Sequence, residues 1–153
     1  MGSRLTVLLN LVMILYFAYG SNMDLVQMAD RCPNSATIGT AELPFHRFMI
    51  NSYGGATVVP DPASAVHGLL WNITEEDERA LDRYEGVRRG IYRRDFVDVV
   101  LPDGRKARAL IYIGTNTEPG TARNGYMEKV YSAAQGCGLP KFYMDQLKAW
   151  LCR

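Results

Sequence analysis

The sequence predicts an α+β domain, and three observations carry the prediction. Apolar stretches of strand length are short and numerous. Helical patterns fall between some of them, without the regular strand–helix alternation of a doubly wound fold. A chain of 153 residues, 48% hydrophobic and 22% charged, suits one globular domain with a full core.

Taken in order, residues 12–17 are continuously apolar and read as a strand buried on both faces. Gly20-Ser21-Asn22 breaks the run, and 24–31 reads as a helix that Ser21 or Asn22 is placed to cap. Cys32-Pro33 ends that helix, because the residue before proline disfavours helical geometry. Alternation predicts strands at 37–43 and 45–53 around Pro44, then a Gly54-Gly55 turn and a short strand at 56–59. Pro60-Asp61-Pro62 reads as a loop, and 65–72 as a mostly apolar strand. Thr74-Glu75-Glu76-Asp77 is a strong helix start, with a hydroxyl cap and an acid three residues on. Ala80, Leu81 and Tyr84 would form the buried side of that helix, and Glu85-Gly86 ends it. Residues 92–101 and 106–113 predict a hairpin through Pro102-Asp103-Gly104. A helix over 123–134 places Tyr126, Val130 and Ala134 on one side. Pro140, at a first helical position, opens a last helix over 141–151.

A net charge of +1 gives no reason to expect a nucleic-acid or membrane partner. The basic residues Arg88, Arg89, Arg93 and Arg94 are interleaved with Asp95 and Asp98, as on a solvated strand face or a pocket rim. Cys32, Cys137 and Cys152 are odd in number and unpaired in spacing. They predict free thiols, a cytoplasmic location and no zinc site. His46 and His67 lie in apolar, strand-like surroundings without ligand spacing, so no metal or other cofactor is expected. Residues 1–12 imitate the charged start and apolar core of a secretory signal. Cleavage would then fall near Ala18 or Gly20, inside the loop that carries the chemistry argued below. They are read instead as an upstream extension or expression remnant, with a single domain over 13–153.

The stretch Tyr16-Phe17-Ala18-Tyr19-Gly20-Ser21-Asn22-Met23 orders a buried strand, a tight loop and a helix start, a layout suited to an anion or a developing oxyanion. A plain strand-to-helix turn would have the same pattern. The stretch resembles the signature loop of the gamma-glutamylcyclotransferase family. Two further stretches match in order: Leu81-Asp82-Arg83-Tyr84-Glu85-Gly86-Val87 with Gly90-Ile91-Tyr92, and Gly138-Leu139-Pro140 with Tyr126 upstream. The similarity runs over residues 13–151.

That resemblance implies a small mixed β-barrel with surrounding helices and a cavity at one mouth. It also implies an activity: release of 5-oxoproline from a γ-glutamyl amino acid or amine. There the substrate's own α-amine attacks its γ-carbonyl, so the protein must supply proton transfer and oxyanion stabilisation, not a nucleophile. By position in the family motif, Glu85 is the general acid/base, although taken alone it reads as an ordinary helix-end glutamate. Tyr19, Gly20, Ser21 and Asn22 would bind the glutamyl portion. Tyr112 and Tyr126 carry over as pocket phenols, against a bland alternative of amphipathic packing. Arg88 and Arg89 would help draw in an acidic substrate. The leaving group would be read by variable loops, such as 114–124. Two alternatives remain: removal of a γ-glutamyl cap from a biosynthetic or carrier-bound intermediate, and a non-catalytic binding protein on the same scaffold.

Overall fold

The computed structural model describes residues 13–151, and the expectations for 1–12 and for Cys152 lie outside them. Strand β1 (Met13–Ala18) buries Tyr16, Phe17 and Ala18. A 3-10 turn (Ser21–Met23) follows, then helix α1 (Leu25–Arg31). The cap is Asp24 and not Ser21 or Asn22: its carboxylate accepts the Gln27 N–H at 2.8 Å. Ser21 and Asn22 instead accept from the Gln27 side-chain amide, at 2.9 and 3.0 Å.

The next stretch is one long hairpin, where separate short strands were expected. Strand β2 (Ala36–Ile50) pairs antiparallel with β3 (Ala56–Thr74). The expected loop at Pro60-Asp61-Pro62 lies inside β3 as an interruption of register. Pro44 pairs with Ala65 but His46 pairs with Pro60, so residues 61–64 stand opposite Phe45 alone. Phe45 takes a φ of 62°, and Asp61 accepts hydrogen bonds from Ala63 and Ser64. Prolines cannot donate to a ladder, so the strand bends there without ending.

Helix α2 (Glu75–Tyr84) has the predicted reciprocal cap between Thr74 and Asp77. Its buried residues are Asp77 and Leu81, however; Tyr84 is 55% exposed and carries the Arg31 guanidinium 4.3 Å above its ring. After a second 3-10 turn (Val87–Arg89), β4 (Tyr92–Val100) and β5 (Lys106–Gly114) form the predicted hairpin. Helix α3 (Tyr126–Gly136) starts three residues later than expected, after Gly125 in a left-handed conformation, and buries Met127, Val130 and Ala134. Helix α4 (Lys141–Lys148) starts just after Pro140, whose carbonyl accepts the Tyr143 and Met144 N–H groups. It buries Tyr143, Met144 and Leu147, and Leu151 falls beyond its end.

The strands close into a barrel in the order β1-β3-β2-β4-β5. Every seam is antiparallel except β1–β5, which pairs in parallel at Tyr16 and Leu110. Closure removes exposed sheet edges and leaves Phe17, Ile50, Leu70, Ile73, Leu110 and Ile111 fully buried. The fold is thus the small mixed barrel with surrounding helices that the resemblance implied. No helix among the described residues is long and apolar enough to cross a membrane.

Candidate active site

A cavity of about 250 Å³ opens where the end of β1, the 3-10 turn after it, the end of α2 and the start of α3 meet. All seven residues singled out from the sequence line it: Tyr19, Gly20, Ser21, Asn22, Glu85, Tyr112 and Tyr126. The lining also contains Tyr16, Arg31, Tyr84, Tyr92 and Arg123. Arg88 and Arg89 are exposed on the second 3-10 turn and take no part in it.

Glu85 owes its place to the way α2 ends. Its N–H still bonds to the Leu81 carbonyl at 2.8 Å, whereas Gly86 turns left-handed at φ 63°. Any side chain there would be strained, and a Cβ would sit 3.0 Å from Ile91 Cδ1. The chain therefore leaves the helix sharply and turns the Glu85 carboxylate into the cavity. Among the described residues it is the one lining carboxylate, and its oxygens accept no protein hydrogen bond. Burial pushes its carboxyl up to about 7, against the opposing pull of Arg31 and Arg123. At neutral pH both protonation states are accessible.

The loop beneath it is fixed by side-chain hydrogen bonds. The Asn22 amide donates to the Tyr16 hydroxyl at 3.0 Å, and its oxygen accepts from Arg31 at 2.9 Å and from Gln27. The Trp71 indole N–H donates to the Asn22 carbonyl at 3.0 Å. Asn22 is therefore an organiser of the loop, with its side-chain groups already engaged. Gly20 is needed for close approach, since a Cβ there would meet the Tyr126 hydroxyl at 3.1 Å.

The phenols divide by where their protons go. Tyr19 donates to the Tyr112 carbonyl, Tyr92 to the Ala56 carbonyl, and Tyr112 to Asp82 at 2.6 Å. Tyr112 lines the cavity, but the proton expected to meet a substrate is given to Asp82. Tyr126 differs. Its oxygen accepts backbone N–H groups of Ala56 and Ser21, which leaves its own O–H free to donate. Tyr16 accepts from Asn22 and likewise keeps its proton. Burial holds all five phenols above their usual range, so at neutral pH they are uncharged donors or acceptors.

Sequence reasoning missed Tyr16, Tyr92, Arg31 and Arg123. Tyr16 and Tyr92 stand within the motif stretches themselves, and Arg123 stands in the 114–124 segment expected to read the leaving group. Arg31 had no local signal, since it reaches the cavity from the last turn of α1. The assembled site has one titratable carboxylate, two guanidiniums, uncharged phenols and a tight backbone loop. That set can transfer a proton and hold a small acidic substrate.

Comparison with known proteins gives the same direction. The AIG2-like family model matches residues 65–147. The gamma-glutamylcyclotransferase of Homo sapiens is 30% identical over 145 residues, spanning 88% of this chain and 77% of that protein. Its Mus musculus counterpart is 28% identical over the same shares. A solved structure of a gamma-glutamyl cyclotransferase superposes with a TM-score of 0.85 at 30% identity, covering 91% of this chain and 88% of the other.

Proposed function

The chain belongs to the AIG2-like gamma-glutamylcyclotransferase family, and from that premise we propose that it is an enzyme releasing 5-oxoproline from a γ-glutamyl amino acid or amine. The observation that carries the reading is Glu85: one carboxylate, free of protein hydrogen bonds, poised near neutrality in a small cavity.

The substrate's α-amine is protonated in water and is no nucleophile until that proton is removed. The Glu85 carboxylate takes it, and the amine nitrogen forms a bond to the γ-carbonyl carbon. The carbonyl π pair moves to oxygen, where the Tyr126 hydroxyl and the N–H groups of Gly20 and Asn22 stabilise the oxyanion. When the oxyanion collapses, the bond to the leaving nitrogen breaks. Glu85 returns its proton there and, a carboxylate again, takes the second proton of the ring nitrogen and passes it on to the departing amine, so that the lactam and an ammonium are released. One residue serves as base and then as acid, which needs a pKa near the working pH. Holding the chain folded back supplies the proximity term. A cytoplasmic location belongs to the same proposal, and the free thiols of Cys32 and Cys137 support it.

The test is 5-oxoproline release from a panel of γ-glutamyl amino acids and γ-glutamylamines by wild type and Glu85→Gln. Turnover of at least one member, with a loss of roughly 100-fold or more in the variant, is expected. An active wild type matched by its variant would remove Glu85 from the role. A folded wild type inert on the whole panel would shift the reading to a carrier-bound substrate or a binding protein.

A further inference from the structure

Two guanidiniums line the cavity, and among the described residues neither has a carboxylate within ion-pair distance. They are held differently. Arg31 is half-buried on α1, bonded to Asn22 and stacked on Tyr84, beside the loop that ends β1. Arg123 is exposed, just ahead of α3. Despite its exposure Arg123 is located on three sides. Its guanidinium carbon lies 4.8 Å over the Tyr126 ring, Nη1 donates to the Tyr53 carbonyl at 3.4 Å, and its amide donates to the Gly54 carbonyl at 3.1 Å.

The turn between β2 and β3 is built to admit it. A Cβ on Gly54 would stand 2.7 Å from Arg123 Cγ, and one on Gly55 would stand 2.8 Å from the Tyr92 hydroxyl and 3.4 Å from Arg123 Nη1. Two consecutive glycines thus clear the space for a cation. A stacked guanidinium with an open face is a preorganised receptor for a planar carboxylate, because little side-chain freedom is left to lose on binding.

We propose that Arg123 is the specificity-determining residue of this site, binding the carboxylate of the leaving amino acid so that γ-glutamyl amino acids are taken in preference to γ-glutamylamines. The proposal rests on the cyclotransferase reading above. In that reading the α-amine must reach Glu85, which puts the glutamyl group inward against the loop of residues 20–22. The leaving group then extends toward the cavity mouth, where the exposed guanidinium is Arg123 and the half-buried Arg31 is not. A γ-glutamyl amino acid carries a carboxylate on the carbon next to the leaving nitrogen; a γ-glutamylamine carries none. Arg123 is also close enough to Glu85 to act on its charge, which sets the two residues on one substrate-sized space.

The test separates binding from turnover. Glu85→Gln protein is titrated calorimetrically with γ-glutamylalanine and γ-glutamylethylamide, which differ by that one carboxylate. Roughly tenfold tighter binding of γ-glutamylalanine is expected, a preference falling to within about twofold of unity when Arg123→Gln is added. Arg123→Lys, which keeps the charge and loses the fork, is expected to retain part of it. Equal affinities in the Glu85→Gln protein, an undiminished preference after Arg123→Gln, or no binding of either compound would overturn the proposal. Release of 5-oxoproline by wild type reports separately on the reaction. A carboxylate preference that depends on Arg123, in a wild type that releases none, would leave Arg123 as the anchor and remove the cyclotransferase reading.

Discussion

Asp82 and Glu85 stand three residues apart at the end of the same helix, and the protein treats them in opposite ways. Asp82 accepts the Tyr112 hydroxyl at 2.6 Å and the Arg94 guanidinium at 2.9 Å, and Arg94 also pairs with Glu78. Every charge in that cluster has a counter-charge. Glu85 has no hydrogen-bond donor from the protein, and its cations stand across the cavity. The difference comes from one turn of chain. Asp82 is within α2 and faces β4 and β5, whereas Glu85 caps its C-terminal end, turned away by the left-handed Gly86. A paired carboxylate organises structure; an unpaired one in a dry site is available for proton transfer.

The sharpest way to break this contrast is to neutralise each acid in turn. Glu85→Gln is expected to lower 5-oxoproline release by roughly 100-fold or more, while Asp82→Asn, measured on the same substrate, loses less than about tenfold. Equal losses would mean that the two carboxylates are not functionally distinct.

Stability sharpens it further, and the sign reverses between the two. Because burial raises Glu85 from 4.5 to about 7, folding must suppress its ionisation. Below pH 4.5 the group is protonated in both states and costs nothing; above about 7 the cost is complete. The full shift corresponds to about 3 kcal/mol, which partial access to solvent through the cavity lowers to about 2 kcal/mol. Glu85→Gln is therefore expected to stabilise the protein by about 2 kcal/mol at pH 8, with no gain at pH 4, in urea unfolding at both pH values. Arg94→Met acts the other way. It leaves Glu78 and Asp82 without their cation and is expected to cost about 1 kcal/mol at pH 7 by the same measurement.

The smallest effect concerns the cations opposite Glu85. Arg123 favours the ionised carboxylate, so Arg123→Gln is expected to move the acidic limb of the kcat/KM profile to higher pH by a few tenths of a unit. A limb moving to lower pH would contradict the placement.

These two regions also differ in how far the sequence revealed them. The capping box of α2 is local chemistry, and Thr74 and Asp77 form it as expected. The loop at Gly20 and the break at Glu85-Gly86 were visible for the same reason. The barrel was not visible in periodicity, because its closing seam joins β1 to β5 across most of the chain; it came from resemblance alone. The bend in β3 was mistaken for a loop because Pro60 and Pro62 look like loop residues whether or not pairing resumes beyond them. Tyr112 lines the cavity, but the loss of its proton to Asp82 depends on a contact 30 residues away, which no local pattern reveals. Arg31 and Arg123 reach the cavity from separate elements, and no spacing along the chain brings them together.

The central claim is that Glu85 is an acid poised near neutrality while its neighbours on α2 are paired. The most direct measurement is a carbon-13 NMR titration of the glutamate side-chain carboxyls, with Glu85 assigned by its loss in Glu85→Gln. An apparent pKa near 7 is the predicted result. A value at or below 4.5, that of an ordinary exposed glutamate, would contradict it.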